Sequence, residues 1–377
     1  MSGRLRDQTL GSPPSLLGRF IRSVDWFVVI LTIGIVALSM INLNSAGAGT
    51  WSGKVMSQGR WVVLGSIAAI IVGALNYRVV YRLAYIAYAA GIGLLALVPL
   101  IGIKRNAARR WLGIGDYQFQ PSELMKVLVV IVLARYLHDL PRGRKDRPLD
   151  MLVPFGIIGL PVSFIIVQPD LSTSIICILI GTSVIALTRL SLRTILTLLS
   201  TGLVLFTLGW ISFMRDYQRS RIDVWLNPEA YADDEGYQTI QAMISVGNGG
   251  FFGRGLSQGS QNALGFLPEP YTDFPFAVYS EEWGFAGCAL GLSLFLCLIL
   301  WSLNVASQAR DRFAALLAVG VAALFFWHAV VNIAMVLQLV PVSGITLPFF
   351  SAGGSNVLTM MLGLGLLMSV SRSRHTR

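Results

Sequence analysis

The sequence predicts an all-α polytopic membrane protein with ten transmembrane helices and a large extracytoplasmic loop between helices 7 and 8. Three observations carry this. Of 377 residues, 54% are hydrophobic and only 13% charged, against about a quarter charged in a soluble domain. That is too little charge to coat a globule of this length, which excludes a soluble enzyme. Apolar runs of about 20 residues recur, the length that crosses about 30 Å of hydrocarbon. The excess of 29 Lys and Arg over 19 Asp and Glu, a net +10, reads as basic cytoplasmic loops rather than a nucleic-acid footprint.

In chain order the expected spans are 25–44, 60–77, 80–101, 121–138, 151–168, 171–188, 193–213, 274–305, 312–340 and 354–370. Residues 1–24 contain Pro13 and Pro14 and lack a small-residue cleavage site, so they read as a basic tail and not a signal peptide. Residues 25–371 form the membrane domain and 372–377 a second tail. One face collects cations such as Arg4, Arg19, Arg78, Arg135, Arg142, Lys145, Arg189, Arg312 and Arg372. The other has only ten against eighteen: Lys54, Arg60, Lys104, Arg105, Arg109, Arg110, Arg215, Arg219, Arg221 and Arg254. The imbalance places both termini in the cytoplasm. Cys177, Cys288 and Cys297 all lie in apolar runs, without the spacing of a disulfide framework or a zinc site.

The only long connection, 214–273, is too polar to span and too long for a simple link. It carries Asp216, Asp223, Glu229, Asp233, Asp234, Glu235, Glu269 and Asp273, an amphipathic segment from Tyr237 to Val246, and the glycine-rich run Gly247 to Gly255. That run brings backbone close to something, but it lacks the strand-then-helix context of a nucleotide loop.

Polar signatures gather at four junctions, all extracytoplasmic in a ten-span topology. These are Ala108-Arg109-Arg110-Trp111 through Gln120-Pro121-Ser122-Glu123 and Lys126, then Gln168-Pro169-Asp170, then Leu267-Pro268-Glu269 with Thr272-Asp273-Phe274, and finally Pro341 through Ser355. Each has a structural reading beside the functional one. Glu123 sits in a first helical turn, where a carboxylate complements the dipole, and Lys126 three residues on is placed to pair with it. A lysine one turn into a membrane helix is nonetheless costly unless it faces a polar cavity. Asp273 reads as a helix N-cap or as a general base at the membrane surface, supported by Thr272 and Glu269. Asp170 reads as a turn residue or a site carboxylate. Glu281 and Glu282 point about 100° apart, so at most one easily faces a single cavity. Arg109 and Arg110 touch lipid headgroups or neutralise a pyrophosphate. His328 and Asn332 read as an interhelical hydrogen-bonding pair ahead of a proton relay.

These motifs resemble the shape, elongation, division and sporulation (SEDS) family of bacterial cell-wall proteins over about Asp25 to Val370. The matches are Arg110-Trp111-Leu112, Gln120-Pro121-Ser122-Glu123 with Lys126, Gln168-Pro169-Asp170-Leu171, Gly236-Tyr237-Gln238, Gly249-Gly250-Phe251-Phe252-Gly253, Thr272-Asp273-Phe274 and Pro341-Val342-Ser343-Gly344-Ile345. Met335-Val336-Leu337 leading into Pro341 looks more like the elongation branch than the division branch. Ser172, Pro275, Trp283 and Ala352 depart from the family pattern without removing a proposed catalytic group.

The resemblance implies a peptidoglycan glycosyltransferase acting on lipid II and an undecaprenyl-linked glycan chain, in membrane lipid, with a class B penicillin-binding protein as partner and no nucleic acid. It implies Asp273 as catalytic base. Arg109, Arg110, Glu123, Lys126, Asp170, Glu269, Thr272, Glu282 and Ser351 are then expected to hold substrate or its pyrophosphate. A divalent cation, magnesium or manganese, held by Glu123 or Asp170 is a further expectation. The rival class is a lipid II flippase, which calls for polar groups through the midplane.

Overall fold

The computed structural model describes residues 24–47, 53–105, 108–114, 117–141, 148–188, 191–212 and 216–375. The basic tail 1–23 and the cations Arg142, Arg144, Lys145, Arg147, Arg189, Arg215 and Arg377 lie outside the described residues.

Ten helices occupy the ten expected stretches: α1 (Trp26–Ala46), α2 (Gly53–Ala74), α3 (Tyr77–Ile101), α4 (Pro121–Asp139), α5 (Leu152–Val167), α6 (Leu171–Ala186), α7 (Leu192–Ser212), α11 (Pro275–Ser307), α12 (Arg312–Val336) and α13 (Gly354–His375). Among the described residues seven helices are long and apolar enough to cross a membrane, and α6 is a shorter apolar one. The long connection carries α8 (Asp216–Leu226), α9 (Glu235–Asn248) and a single turn, α10 (Ser260–Ala263). Between α3 and α4 the chain forms a small antiparallel sheet, β1 (Ile103–Arg105), β2 (Ala108–Ile114) and β3 (Tyr117–Phe119), which the sequence reading did not anticipate.

The centre is built from α4, α12 and α13. In α4 every residue from Val127 to Ala134 is buried, so this helix is apolar all round, as an element enclosed by others must be. Around it pack α3, α6 and α12, while α13 lies along α2 and α1 along α11. Asp25, which precedes α1, accepts hydrogen bonds from Trp301 Nε1 (2.9 Å) and Ser371 Oγ (2.8 Å) and pairs with Arg374 (3.2 Å). The start of the first helix and the ends of α11 and α13 therefore share one face. The four polar junctions gather on the opposite face.

Helix boundaries follow local chemistry. Asn76 caps α3 by accepting from Arg78 N at 3.0 Å, so α2 stops before the expected residue 77. The expected span 312–340 ends early, at Val336, because Gln338 adopts φ 56 and Leu339 N turns back to Ala334 O at 2.8 Å. The last stretch to 349 is then free to line the polar face. Pro275, one of the departures from the family pattern, stands at the first position of α11, where its missing N–H costs nothing.

The feature least visible in the sequence is a break in α11 at Gly284 (φ 64, ψ −164), a conformation close to glycine-only. The glycine-rich run fills this break. Arg254 N and Gly255 N donate to the carbonyls of Glu281 and Glu282 (2.9 and 3.0 Å), and Phe285 N and Ala286 N donate to Gly250 O and Phe251 O (2.9 and 3.0 Å). A Cβ on Gly284 would lie 2.2 Å from Gly253 N, and one on Gly253 2.1 Å from Glu282 O. The run thus brings backbone close to another helix and not to a nucleotide. Gly284→Ala is expected to cost at least about 3 kcal/mol through strain and collision. Gly156→Ala, where an added Cβ meets nothing within 4 Å, should hold stability or raise it by up to about 1 kcal/mol. Thermal unfolding in detergent compares the two, and equal melting temperatures would refute the clamp.

Candidate active site

On the polar face, backbone and side-chain hydrogen bonds sew the four junctions together. Gln120 N donates to Ser355 Oγ (2.9 Å) and Gln120 Nε2 to Asp170 Oδ2 (2.8 Å). Arg110 donates from Nε to Gln168 O (3.2 Å) and from its guanidinium to Pro169 O. Ser172, another departure from the family pattern, donates to Ser343 O, and Ala352 N donates to Tyr271 O at 2.8 Å. Residues 50 to 235 positions apart in sequence thereby surround one region.

Its deepest part is an ion pair. Pro121 at the first position of α4 places Glu123 in the first turn and Lys126 one turn on. Lys126, 1% exposed, donates from Nζ to Glu123 Oε1 at 2.8 Å and to His328 Nε2 at 2.8 Å. The other oxygen of Glu123 accepts from Asn356 Nδ2 at 3.2 Å. His328 Nδ1 faces the carbonyl of Thr346 at 3.0 Å. A carbonyl only accepts, so the ring proton sits on Nδ1 and Nε2 is left to accept from the lysine. A buried charge pair is tolerated when further hydrogen bonds satisfy it, and here α12 and α13 supply them.

One turn further along α12, Asn332 Nδ2 donates to Ile345 O (2.6 Å) and to Asp273 O (3.1 Å). His328 and Asn332 are an interhelical hydrogen-bonding pair as expected, and together they pin the segment Pro341–Phe349 beside the start of α11.

Asp273 stands just before α11. The backbone N–H groups of Thr272, Asp273 and Phe274 all approach Glu269 O at 3.3 Å, a turn that Glu269 makes at φ 45. Thr272 Oγ1 donates to Glu269 Oε2 at 3.1 Å. The Asp273 carboxylate lies against Gly344 (φ 69), where a Cβ would stand 3.5 Å from Oδ2. Burial pushes this carboxyl up to about 6, with Glu269 adding to the rise, while Thr272 and Arg221 pull the other way. A carboxylate poised near neutrality at the mouth of a polar cluster is suited to accepting a proton. No side-chain cap bond forms from α11's N-cap residue, which is Phe274 and not Asp273.

The remaining expected site residues are placed as follows. Asp170 caps α6, accepting from Thr173 N (3.3 Å) with one oxygen and from Thr173 Oγ1 (2.9 Å) and Gln120 Nε2 with the other. Arg109 donates to Pro99 O and Leu100 O (3.1 and 3.2 Å), closing the end of α3. Ser351, fully buried, accepts from Leu347 N at 2.8 Å and closes a turn. Glu281 and Glu282 do not divide as expected, since both are buried against the loop and neither is in an ion pair among the described residues. Glu281 accepts from Ser260 Oγ (3.0 Å) and Gln261 N (3.3 Å), and Glu282 from Ser45 Oγ (2.6 Å) and Ser257 N (3.2 Å). They anchor the loop that fills the break in α11.

The described residues contain no group of three metal-type side chains. Both oxygens of Glu123 and both of Asp170 accept from protein donors.

Sequence reasoning passed over Arg221 as a site residue. Its charge acts on Asp273, and it lines an open pocket with Trp225 of the same helix. The available signal was the i, i+4 spacing of a cation and an indole on an otherwise polar helix.

Comparison with known proteins shows what the chain as a whole is similar to. A family model described as cell cycle protein, FTSW_RODA_SPOVE, matches residues 21–376. The peptidoglycan glycosyltransferase MrdB of Escherichia coli K12 is 35% identical over 315 residues, covering 83% of this chain and 84% of that one. A solved peptidoglycan synthase complex, described by its coordination of polymerization and crosslinking, matches with a TM-score of 0.81 and 31% identity, covering 94% of this chain and 99% of that one. The rod shape determining protein RodA of Thermus thermophilus matches with a TM-score of 0.70 and 29% identity, covering 94% and 98%.

Proposed function

This chain belongs to the FTSW_RODA_SPOVE family of cell cycle proteins, and from that premise we propose that it is a peptidoglycan glycosyltransferase polymerising lipid II during cell elongation. In this reading ten helices cross the inner membrane, both termini are cytoplasmic, and the polar face is extracytoplasmic. The similarity to a peptidoglycan synthase complex supports a class B penicillin-binding protein as partner.

The observation that carries the chemistry is the Asp273 carboxylate, raised to about 6 at the edge of the polar cluster. Asp273 takes the proton from the 4-hydroxyl of the acceptor sugar as that oxygen attacks the anomeric carbon of the lipid-linked donor chain. The bond from that carbon to the pyrophosphate breaks with inversion, through an oxocarbenium-like transition state. Undecaprenyl pyrophosphate leaves with the electron pair. Arg109, Arg110 and Lys126 bring positive charge to the side where negative charge develops. Arg110 is held for this by the carbonyls of Gln168 and Pro169. Prenyl chains remain in the membrane between helices.

Transport would need a polar path to the opposite face. Below Lys126 the interior helix α4 continues as buried apolar side chains from Val127 to Ala134, which favours chemistry at one face.

Asp170→Ala tests the capping role of that carboxylate. Losing the cap is expected to cost about 0.5–2 kcal/mol, while polymer made per folded molecule stays within about threefold of wild type. Full stability with no polymer would instead put Asp170 in the chemistry.

A further inference from the structure

We propose that His328 is a positioning residue for the transfer: it fixes the direction of the Lys126 ammonium and ties it to the same stretch of backbone that bears on Asp273. The proposal rests on the polymerase reading and extends it to how two groups on different elements are kept in register.

A lysine is a flexible four-carbon stem that ends in three rotatable donors. The contact with Glu123, three residues earlier on the same helix, fixes one of them. A second goes to His328 Nε2 on α12, at 2.8 Å. With two N–H groups anchored on two helices, a tetrahedral ammonium cannot turn, and its third N–H keeps one direction. The imidazole, accepting at Nε2, is neutral, so it adds geometry without changing the charge of the pair.

The histidine is itself held. Its Nδ1 donates to Thr346 O at 3.0 Å. That carbonyl is fixed from both sides, since Ile345 O accepts from Asn332 Nδ2 (2.6 Å) and Leu347 N donates to Ser351 Oγ (2.8 Å). The same stretch meets the base. Gly344 lies against the Asp273 carboxylate, and Asn332, one turn from His328, also donates to Asp273 O at 3.1 Å. The ammonium and the carboxylate therefore take their places from one piece of backbone, residues 344–347, and from two side chains four residues apart on α12. A misplacement of about 1 Å between reacting groups costs up to about 10²-fold in rate.

The test joins two variants in the polymer assay to histidine 15N NMR of the full chain in detergent. The chain has three histidines, and the signals that vanish in His328→Gln identify this one. Wild type should show Nδ1 protonated and Nε2 unprotonated. His328→Gln keeps a donor for Thr346 O and an acceptor for Lys126, so kcat should stay within about threefold of wild type. His328→Leu keeps neither, and kcat should fall about 10- to 100-fold while the lipid II KM moves less than about twofold. His328→Asn, polar but too short to reach both partners, should show the same loss and serves where the leucine variant does not fold. Unchanged kcat in the leucine or asparagine variant, equal losses in glutamine and leucine, a loss confined to KM, or a His328 protonated at Nε2 overturns the proposal. A wild type that makes no polymer would instead fail the polymerase reading, and the tautomer is read without any catalysis.

Discussion

Asp273→Asn is expected to fold as well as wild type and to lose 10²–10⁴-fold in glycan polymerisation, the usual worth of a general base. The expectation of an intact fold comes from the sign of the carboxyl's shift. Its value in the folded protein, about 6, lies above the ordinary 3.8. The folded state therefore favours the protonated form, and stability falls as pH rises between those values. At pH 7 the ionised carboxylate is a burden on the fold, and asparagine, close in shape and uncharged, removes it. Melting temperature at pH 7 should hold or increase, whereas a substitution that merely broke a helix cap would lower it. The wild-type rate should also drop about tenfold between pH 7 and pH 5 as the base is protonated.

The second large effect concerns the buried pair. Lys126→Met alone or Glu123→Gln alone leaves an uncompensated charge among α4, α12 and α13, and each is expected to cost about 3–5 kcal/mol. The double variant should recover much of that loss, because neither charge remains to be buried. A cycle measured by denaturation in detergent gives the coupling directly. Independent, additive losses would show that the 2.8 Å contact contributes little. Recovered stability without recovered polymer would separate the structural role of the pair from its electrostatic one.

The spans and the four polar junctions were legible in the sequence because hydropathy reports membrane burial almost directly, and because charged residues in helix ends stand out against apolar runs. Asp273, Glu123 and Lys126 were visible for that reason. What was not legible depends on contacts distant in sequence. The break at Gly284 lies inside one long helical stretch with no proline to mark it, and only the carbonyls of Gly250 and Phe251 show why it is tolerated. Glu281 and Glu282 could not be separated by helical angle, since the loop wraps far enough to meet both. The strands β1 and β3 have three residues each, too short for a periodic pattern to register. Asp170 and Ser351 carry the right chemistry for a site, but capping and turn closure account for the hydrogen bonds they make.

The most direct test is a gel assay of glycan polymer from labelled lipid II, run from pH 5 to pH 8. It compares wild type with Asp273→Asn, each co-purified with a penicillin-binding partner whose own chemistry is blocked. The account predicts polymer from wild type, rising about tenfold from pH 5 to pH 7, and none above background from the folded variant at any pH. Equal polymer from both proteins, or a wild-type rate that does not change over that range, would contradict it.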